Sequence, residues 1–467
     1  MSKSSPEVSV IKMYAAREEI YPREAKGWYA NWRWACVWIT QLVFYGLPWL
    51  RWNDRQAVLF DLAARKFYIF GIVLWPQDFI YLAILLIICA YSLFLFTAIA
   101  GRVWCGYACP QTVYTEIFLW IERKIEGTRS ARMRLDKQPW SVSKGLKKTA
   151  KHGAWIAVAL WTGITFVGYF TPMRTLLGEV AVLQLGPWEW FWILFYALAT
   201  YGNAGWMREQ VCKYMCPYAR FQSSMFDKDT LIITYDAERG EPRGARTKKS
   251  AVEGPSKSDC IDCTMCVQVC PTGIDIRDGL QYDCIGCAAC IDACNSVMDK
   301  VGSPRGLIRY STENAMKNKL SPKQIRQRAM RPRVLIYTGI LLLIVSASLG
   351  SLIMRTPLKM DVIRDRGAMG REVEDDMIEN VYRLQIMNTD EFAHRYKITV
   401  SGIDTIALVN QAEIDLEGTA SRAVPVRVRV AHGAGAPGSN RIEFELQSID
   451  APDVHVKEKA VFFVPRD

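Results

Sequence analysis

Five stretches of the chain, roughly residues 33–52, 79–100, 153–171, 187–206 and 334–354, are each about 20 predominantly apolar residues long, the length a helix needs to cross the hydrocarbon core of a bilayer. That pattern predicts an α-helical membrane domain with five transmembrane helices and polar modules attached. Half of the 467 residues are hydrophobic while 22% are charged, and mean hydropathy is near zero, as such a mosaic requires. The first 32 residues hold no apolar core followed by a small-residue cleavage site, so the first span reads as a retained helix rather than a signal peptide. Trp188, Trp190, Trp192 and Trp206 crowd the fourth span, as anchoring interfacial belts do. The stretch 66–78 is apolar but short and broken by Pro76, and reads as an interfacial or re-entrant piece on the external side.

The net charge of +11 would suit nucleic acid, but Lys and Arg crowd beside the spans, where orientation in a bilayer accounts for them. The connection after the second span carries eleven of them, from Arg102 to Lys151, whereas 172–186 holds only Arg174. The positive-inside rule makes the first connection cytoplasmic and the second external. Alternation predicts a cytoplasmic N-terminal segment (1–32), four transmembrane helices (33–206), a cytoplasmic region (207–333), a fifth helix (334–354) and an external, periplasmic C-terminal domain (355–467). The basic run from Lys317 to Arg333 agrees as a stop-transfer flank. Of four His residues only His152 lies near a span, too few for a membrane b-type haem, and no haem is predicted.

Two cysteine runs share one spacing in an insert over 255–300: Cys260, Cys263, Cys266, Cys270 and Cys284, Cys287, Cys290, Cys294. Each reads C-x2-C-x2-C-x3-C, which resembles the bacterial two-cluster ferredoxin, in which the fourth thiolate of a run ligates the other cluster. The resemblance implies one 4Fe-4S cluster on Cys260, Cys263, Cys266 and Cys294 and a second on Cys284, Cys287, Cys290 and Cys270. Pro271 follows the first run as in that pattern, while Asn295 replaces the second proline. Zinc is the rival, disfavoured by the eight-thiolate run duplicated 24 residues apart. Disulfides are disfavoured by the reducing compartment.

A second motif, C-x-Y-x-C-P, closes the second and fourth spans: Cys105, Tyr107, Cys109, Pro110 and Cys212, Tyr214, Cys216, Pro217, with Arg102 and Arg208 ahead and aromatic Tyr114 and Phe221 behind. The copies are 107 residues apart, as are the span pairs, so the membrane part reads as a duplicated hairpin. Cysteines at i and i+4 share a helix face, and the proline disfavours helical backbone at the preceding Cys, so each pair belongs where a helix frays or kinks. Two such ends together offer four thiolates to copper, to zinc or to a further cluster; disulfide cycling is the alternative, near the limit of acceptable geometry. Cys36 and Cys89 read as packing residues inside spans.

These pieces together resemble the FixG/RdxA (CcoG) family of membrane polyferredoxins, the cytochrome c oxidase accessory proteins. Besides the cysteine motifs the likeness rests on Phe221, Thr234, Tyr235, Asp236, the run Arg239 to Arg243, and Arg364, Asp365 and Arg366. It implies a cupric reductase of the bacterial inner membrane, passing electrons through two 4Fe-4S clusters to reduce Cu(II) for assembly of cbb3-type cytochrome c oxidase. Its implied partners are copper ions and copper chaperones or oxidase subunits, with a homodimer among the arrangements it allows; no motif names the electron donor. Cys105, Cys109, Cys212 and Cys216 are then the candidate copper-reducing residues. Two other readings stand beside it: a quinol dehydrogenase or electron-transfer subunit of a periplasmic reductase system, and a non-catalytic copper chaperone or scaffold.

In residues 361–467 the alternation of VYRLQIMN, RYKITVSG, AVPVRVRV, RIEFELQ and KAVFFVP is the period-two signal of half-buried strands. About seven strands predict an all-β sandwich of immunoglobulin-like type. It has no Cys and so rests on its core alone. It reads as an interaction module, with His432 and His455 as surface residues rather than copper ligands.

Overall fold

The computed structural model describes residues 19–244, 258–365, 370–373, 376–410 and 412–465, without the Ser223 side chain. Residues 1–18 of the N-terminal segment, 255–257 of the predicted insert and Arg366 lie outside it. The described chain forms two compact units, one from Met1–Leu47, Ile88–Gly168 and Thr175–Leu341, the other from Pro48–Ile87, Tyr169–Arg174 and Leu342–Asp467.

Each predicted span coincides with a helix, with altered bounds: α1 (Trp28–Gly46), α2 (Phe79–Ala100), then α3 (Val103–Tyr107) and α4 (Pro110–Glu126) beyond the second span, α5 (Val142–Val167), α6 (Pro187–Thr200), α7 (Pro217–Met225), α8 (Ala289–Val301) in the cysteine insert, and α9 (Pro332–Ile353). By length and composition two of them are able to cross a membrane, Pro76–Ala100 and Pro332–Ile353. The first span ends earlier than expected because Pro48 closes a short 3-10 turn, Leu47–Trp49, after α1. The third begins earlier, in water-compatible residues: Lys144, Lys147, Lys148 and Lys151 occupy the first turns of α5. The fourth is only 14 residues of α-helix, continued by a π-turn at Tyr201–Met207. Large apolar side chains point outward on all five, among them Trp38 and Leu42, Leu85 and Leu86, Ile156 and Trp161, Leu194 and Leu198, and Leu342 and Leu343.

In the first unit α5 and α6 pack at Gly163, where a Cβ would strike the Ile193 carbonyl. Trp155 stacks on Phe118 with ring centroids 5.2 Å apart, and Tyr45 hydrogen-bonds Thr162 at 2.9 Å, tying α1 to α5. Glu122 on α4 accepts from Arg132 and Arg208, each at 3.1 Å, and Glu126 is ion-paired with Lys148 and Lys151 at 3.0 and 2.9 Å. Buried carboxylates need such cations beside them. The cysteine insert is framed by an antiparallel pair, Ile232–Tyr235 with Ile308–Ser311, and by α8, which stops at Gly302 in the left-handed region (φ 70°).

In the second unit, residues 66–78 form no re-entrant helix. They supply two strands of a three-stranded antiparallel sheet, β1 (Val58–Asp61), β2 (Lys66–Ile69) and β3 (Ile72–Leu74), before a 3-10 turn at Pro76–Asp78. The two-residue turn Phe70–Gly71, with Phe70 at φ 52°, folds the apolar run back on itself. Among the described residues the C-terminal domain has nine strands in two sheets rather than about seven in all. One sheet is ordered Ala407–Leu408, Ser421–Ala431, Met377–Asn388, Leu358–Arg364, with Arg371–Val373 also pairing Met377–Asn388; the other is Glu413–Leu416, His394–Ser401, Gly438–Ser448, His455–Val464. The alternation is what builds the core: Val424, Val426, Val428 and Val430 face Ile398, Phe444, Leu446 and Phe462 in one buried cluster. His432 and His455 are exposed.

Candidate functional site

All eight cysteines of the paired runs converge in the first unit, in the crossed sets expected of them. One cavity is lined by Cys260, Cys263, Cys266 and Cys294. Another is lined by Cys270, Cys284, Cys287 and Cys290, with Cys266 between the two. The backbone repeats as well: Asp262 and Thr264 lie at φ 52° and 54°, and their counterparts Gly286 and Ala288 at 68° and 59°. These left-handed turns wrap each run around its cavity. Burial pushes the Cys266 thiol up to about 11 and those of Cys284 and Cys294 to about 12, so metal must displace their protons on binding. None of the 14 cysteines is in a disulfide. Four soft donors on the walls of each cavity fit a 4Fe-4S cluster. Among the described residues, no three His, Cys, Asp or Glu side chains meet closely enough to share a single metal ion.

The C-x-Y-x-C-P motifs sit at helix ends, as the prolines dictate. Cys109 (φ −61°, ψ 129°) and Cys216 (φ −79°, ψ 109°) are extended N-cap residues, and Pro110 and Pro217 open α4 and α7. Their partners differ: Cys105 lies on the α-turn α3, Cys212 on a π-turn, Val211–Met215. The four thiols lie within electrostatic reach of one another. Burial pushes Cys105 up to about 11, and the charges of Cys109 and Cys216 add to it; burial pushes Cys212 up to about 12, with Cys109, Cys105 and Cys216 adding. Cys105 donates to Gln222 Oε1 at 3.3 Å, and the same oxygen accepts from Arg102 Nε at 3.2 Å.

The two thiol groups are neighbours. Cys105 and Cys287 share a buried cluster, with Cys212 and Cys290 packed against it. Gly106, between the first pair of motif cysteines, lies so close to the insert that a Cβ would stand 2.8 Å from the Cα and N of Cys287. Gly286 reciprocates, its Cβ direction meeting the Arg102 carbonyl carbon and oxygen at 3.1 Å. Arg102 donates to the carbonyls of Tyr282 and Cys284, Arg33 on α1 to the Cys287 carbonyl at 2.9 Å, and Tyr310 to the Gly286 carbonyl at 2.6 Å. Asp292 on α8 accepts the backbone N–H groups of Tyr29 and Ala30 at 3.3 and 2.7 Å, capping α1. A cleft touches both Cys212 and Cys287. Of these docking residues sequence reasoning marked only Arg102. Arg33, Gly106, Gln222 and Asp292 were missed; the glycine in place of the second copy's Lys213 was the one available signal.

A two-cluster ferredoxin module docked on helix-borne thiols, with an immunoglobulin-like domain following, defines an iron–sulfur oxidoreductase of polyferredoxin type. Comparison with known proteins agrees region by region: a 4Fe-4S dicluster domain matches residues 207–313, a 4Fe-4S binding domain matches 82–127, and the IG-like fold at the C-terminal of FixG matches 348–465. The nitrogen fixation protein FixG of Rhizobium meliloti is 40% identical over 86% of this chain and 83% of its own length. Protein RdxB of Cereibacter sphaeroides is 40% identical over 95% of both chains, and protein RdxA of the same organism 40% over 89% and 87%. The chain belongs to the FixG/RdxA family.

Proposed function

We propose that the protein is a multi-pass inner-membrane oxidoreductase that reduces Cu(II) to Cu(I) at Cys105, Cys109, Cys212 and Cys216 and thereby supports assembly of cbb3-type cytochrome c oxidase. The observation that carries this reading is the shared buried cluster of Cys105 and Cys287, which puts the helix-end thiols beside the second ferredoxin set. In this reading Cys260, Cys263, Cys266 and Cys294 hold one 4Fe-4S cluster and Cys270, Cys284, Cys287 and Cys290 the other. When bound, these groups supply one-electron transfer.

The protein's own part is to position and to select. Cu(II) favours nitrogen and oxygen ligands and Cu(I) favours thiolate, so the neighbouring helix-end thiols favour the reduced product and draw the copper toward reduction. The cavity beside Cys212 and Cys287 gives the substrate a way in. Outward apolar side chains on α1, α2, α5, α6 and α9 support five spans, with the ferredoxin module cytoplasmic and the C-terminal domain periplasmic. The cysteine-free sandwich suits docking to copper chaperones or oxidase subunits.

The test is copper reduction by reduced, desalted, detergent-solubilised protein under anaerobic conditions, following iron–sulfur absorbance and a Cu(I) chelator together. One Cu(I) should appear per electron withdrawn, and replacement of all four helix-end cysteines by Ser should abolish it with the 4Fe-4S absorbance retained. Reduction that persists in that variant overturns the assignment. A second reading has its own support: the 4Fe-4S binding domain match over 82–127 takes in Cys105 and Cys109, which favours a further cluster at the helix-end thiols. Iron content separates the two, about eight atoms per chain against about twelve for three four-iron cubes.

A further inference from the structure

The surroundings of the two ferredoxin sets are electrostatically unequal. Beside Cys270, Cys284, Cys287 and Cys290 stand two cations from outside the insert, Arg33 donating to the Cys287 carbonyl and Arg102 to those of Tyr282 and Cys284. Among the described residues neither is ion-paired with a carboxylate; Glu116 and Asp292 act on Arg33 only at longer range. Arg102 is 6% exposed. Beside the other set the cation is Arg277, and it is cancelled by Asp275 at 2.6 Å and by Asp262.

We propose that Arg33 and Arg102 raise the reduction potential of the cluster held by Cys270, Cys284, Cys287 and Cys290 above that of its neighbour, making the set beside the helix-end thiols the electron sink of the pair. A cube bound by four thiolates is a net anion and gains negative charge on reduction, so nearby cations favour the reduced state. Burial alone acts the other way, disfavouring the added negative charge. The arginines prevail because the same low-dielectric walls leave their attraction unscreened. An uncompensated buried cation is otherwise costly, which gives Arg102 a reason to be there. Arg33 and Arg102 are thus positioning residues that give the module a polarity, with electrons entering at the Cys260 set and held nearest the site of use.

The inference rests on the reading that both sets hold cubes, which iron and acid-labile sulfide content tests separately. Its own test is an EPR-monitored redox titration of the full-length, cluster-loaded protein. Two signals of different potential are expected. Arg33→Gln should lower the higher one by about 59 mV, a tenfold change in a one-electron equilibrium, and leave the lower one in place; Arg33→Lys should restore it. Arg277→Gln should move the lower signal instead. Arg102→Gln carries the same expectation as Arg33→Gln should that variant fail to load. Wild-type signals that titrate together, or an Arg33→Gln shift shared equally by both, overturn the proposal.

Discussion

Gly106 and Lys213 occupy the same position in two copies of one motif, yet they do opposite work. Gly106 lets α3 approach the Cys287 backbone to contact distance, whereas Lys213 reaches out to Asp283 at 3.7 Å. The first copy therefore docks the ferredoxin module and the second borders it. Gly106→Ala should cost about 1–3 kcal/mol, the range for overpacking, and should weaken electron transfer between the two thiol groups. Gly145→Ala, with open space around it, should instead stabilise α5 by about 0.5–1 kcal/mol. Thermal unfolding of both variants checks the contrast. Glu379 supplies a pH dependence. Burial works against its charge, but hydrogen bonds from Arg371 and Arg429 hold its carboxyl below the usual range. A depressed carboxyl contributes stability that is complete above the unfolded-state value and is lost as pH falls through the folded one. The sandwich transition in calorimetry of the whole chain should fall on the acid side, and Glu379→Gln should flatten that limb while costing about 1–3 kcal/mol at neutral pH. At this scale the cysteines were legible because their spacing is a local code. Arg33, Gln222 and Asp292 were not, since each acts on a partner more than a hundred residues away.

Helices and strands show the same division between what periodicity carries and what it conceals. Unbroken apolar length located five of the helices, two of them long and apolar enough to cross a membrane, and alternation located the sandwich, because both signals are written in adjacent residues. The stretch 66–78 misled because β2 and β3 meet through only two residues, so a hairpin reads as one apolar run. The start of α5 misled because Lys144 and Lys151 point into the protein and engage backbone carbonyls or Glu126, which lets the helix begin well before its apolar part. A lipid-facing role for the short helix α6 has a direct test. Leu194→Arg and Leu86→Arg place a charge at outward positions of α6 and α2; in water neither substitution costs much, while at a bilayer centre each costs about 2.5–3.5 kcal/mol. Membrane insertion of reporter-tagged protein should drop for both. A loss confined to Leu86→Arg would remove α6 from the set of spans.

For the molecule as a whole, the division of cysteines between its parts predicts how it comes apart. Cys260, Cys266 and Cys294, the proposed ligands of one cluster, are part of the buried core of the ferredoxin module, so stripping the iron should loosen that core. The C-terminal domain has an aliphatic and aromatic core with no sulfur ligand. Chelation with mild oxidation should open residues 258–311 to protease and hydrogen exchange while the strands from 377 to 464 keep their protection. Uniform loss across both would mean that the sandwich depends on the clusters.

The cap on α1 ties two distant parts of the chain together. The carboxylate that accepts from the leading N–H groups of Trp28–Gly46 belongs to Asp292, 262 residues from Ala30 and between Cys290 and Cys294 in sequence. The N-terminal donors of α1 are thus completed by the module that carries the cysteines. A chain stripped of iron should therefore show faster hydrogen exchange at Tyr29 and Ala30, far in sequence from the cysteines themselves.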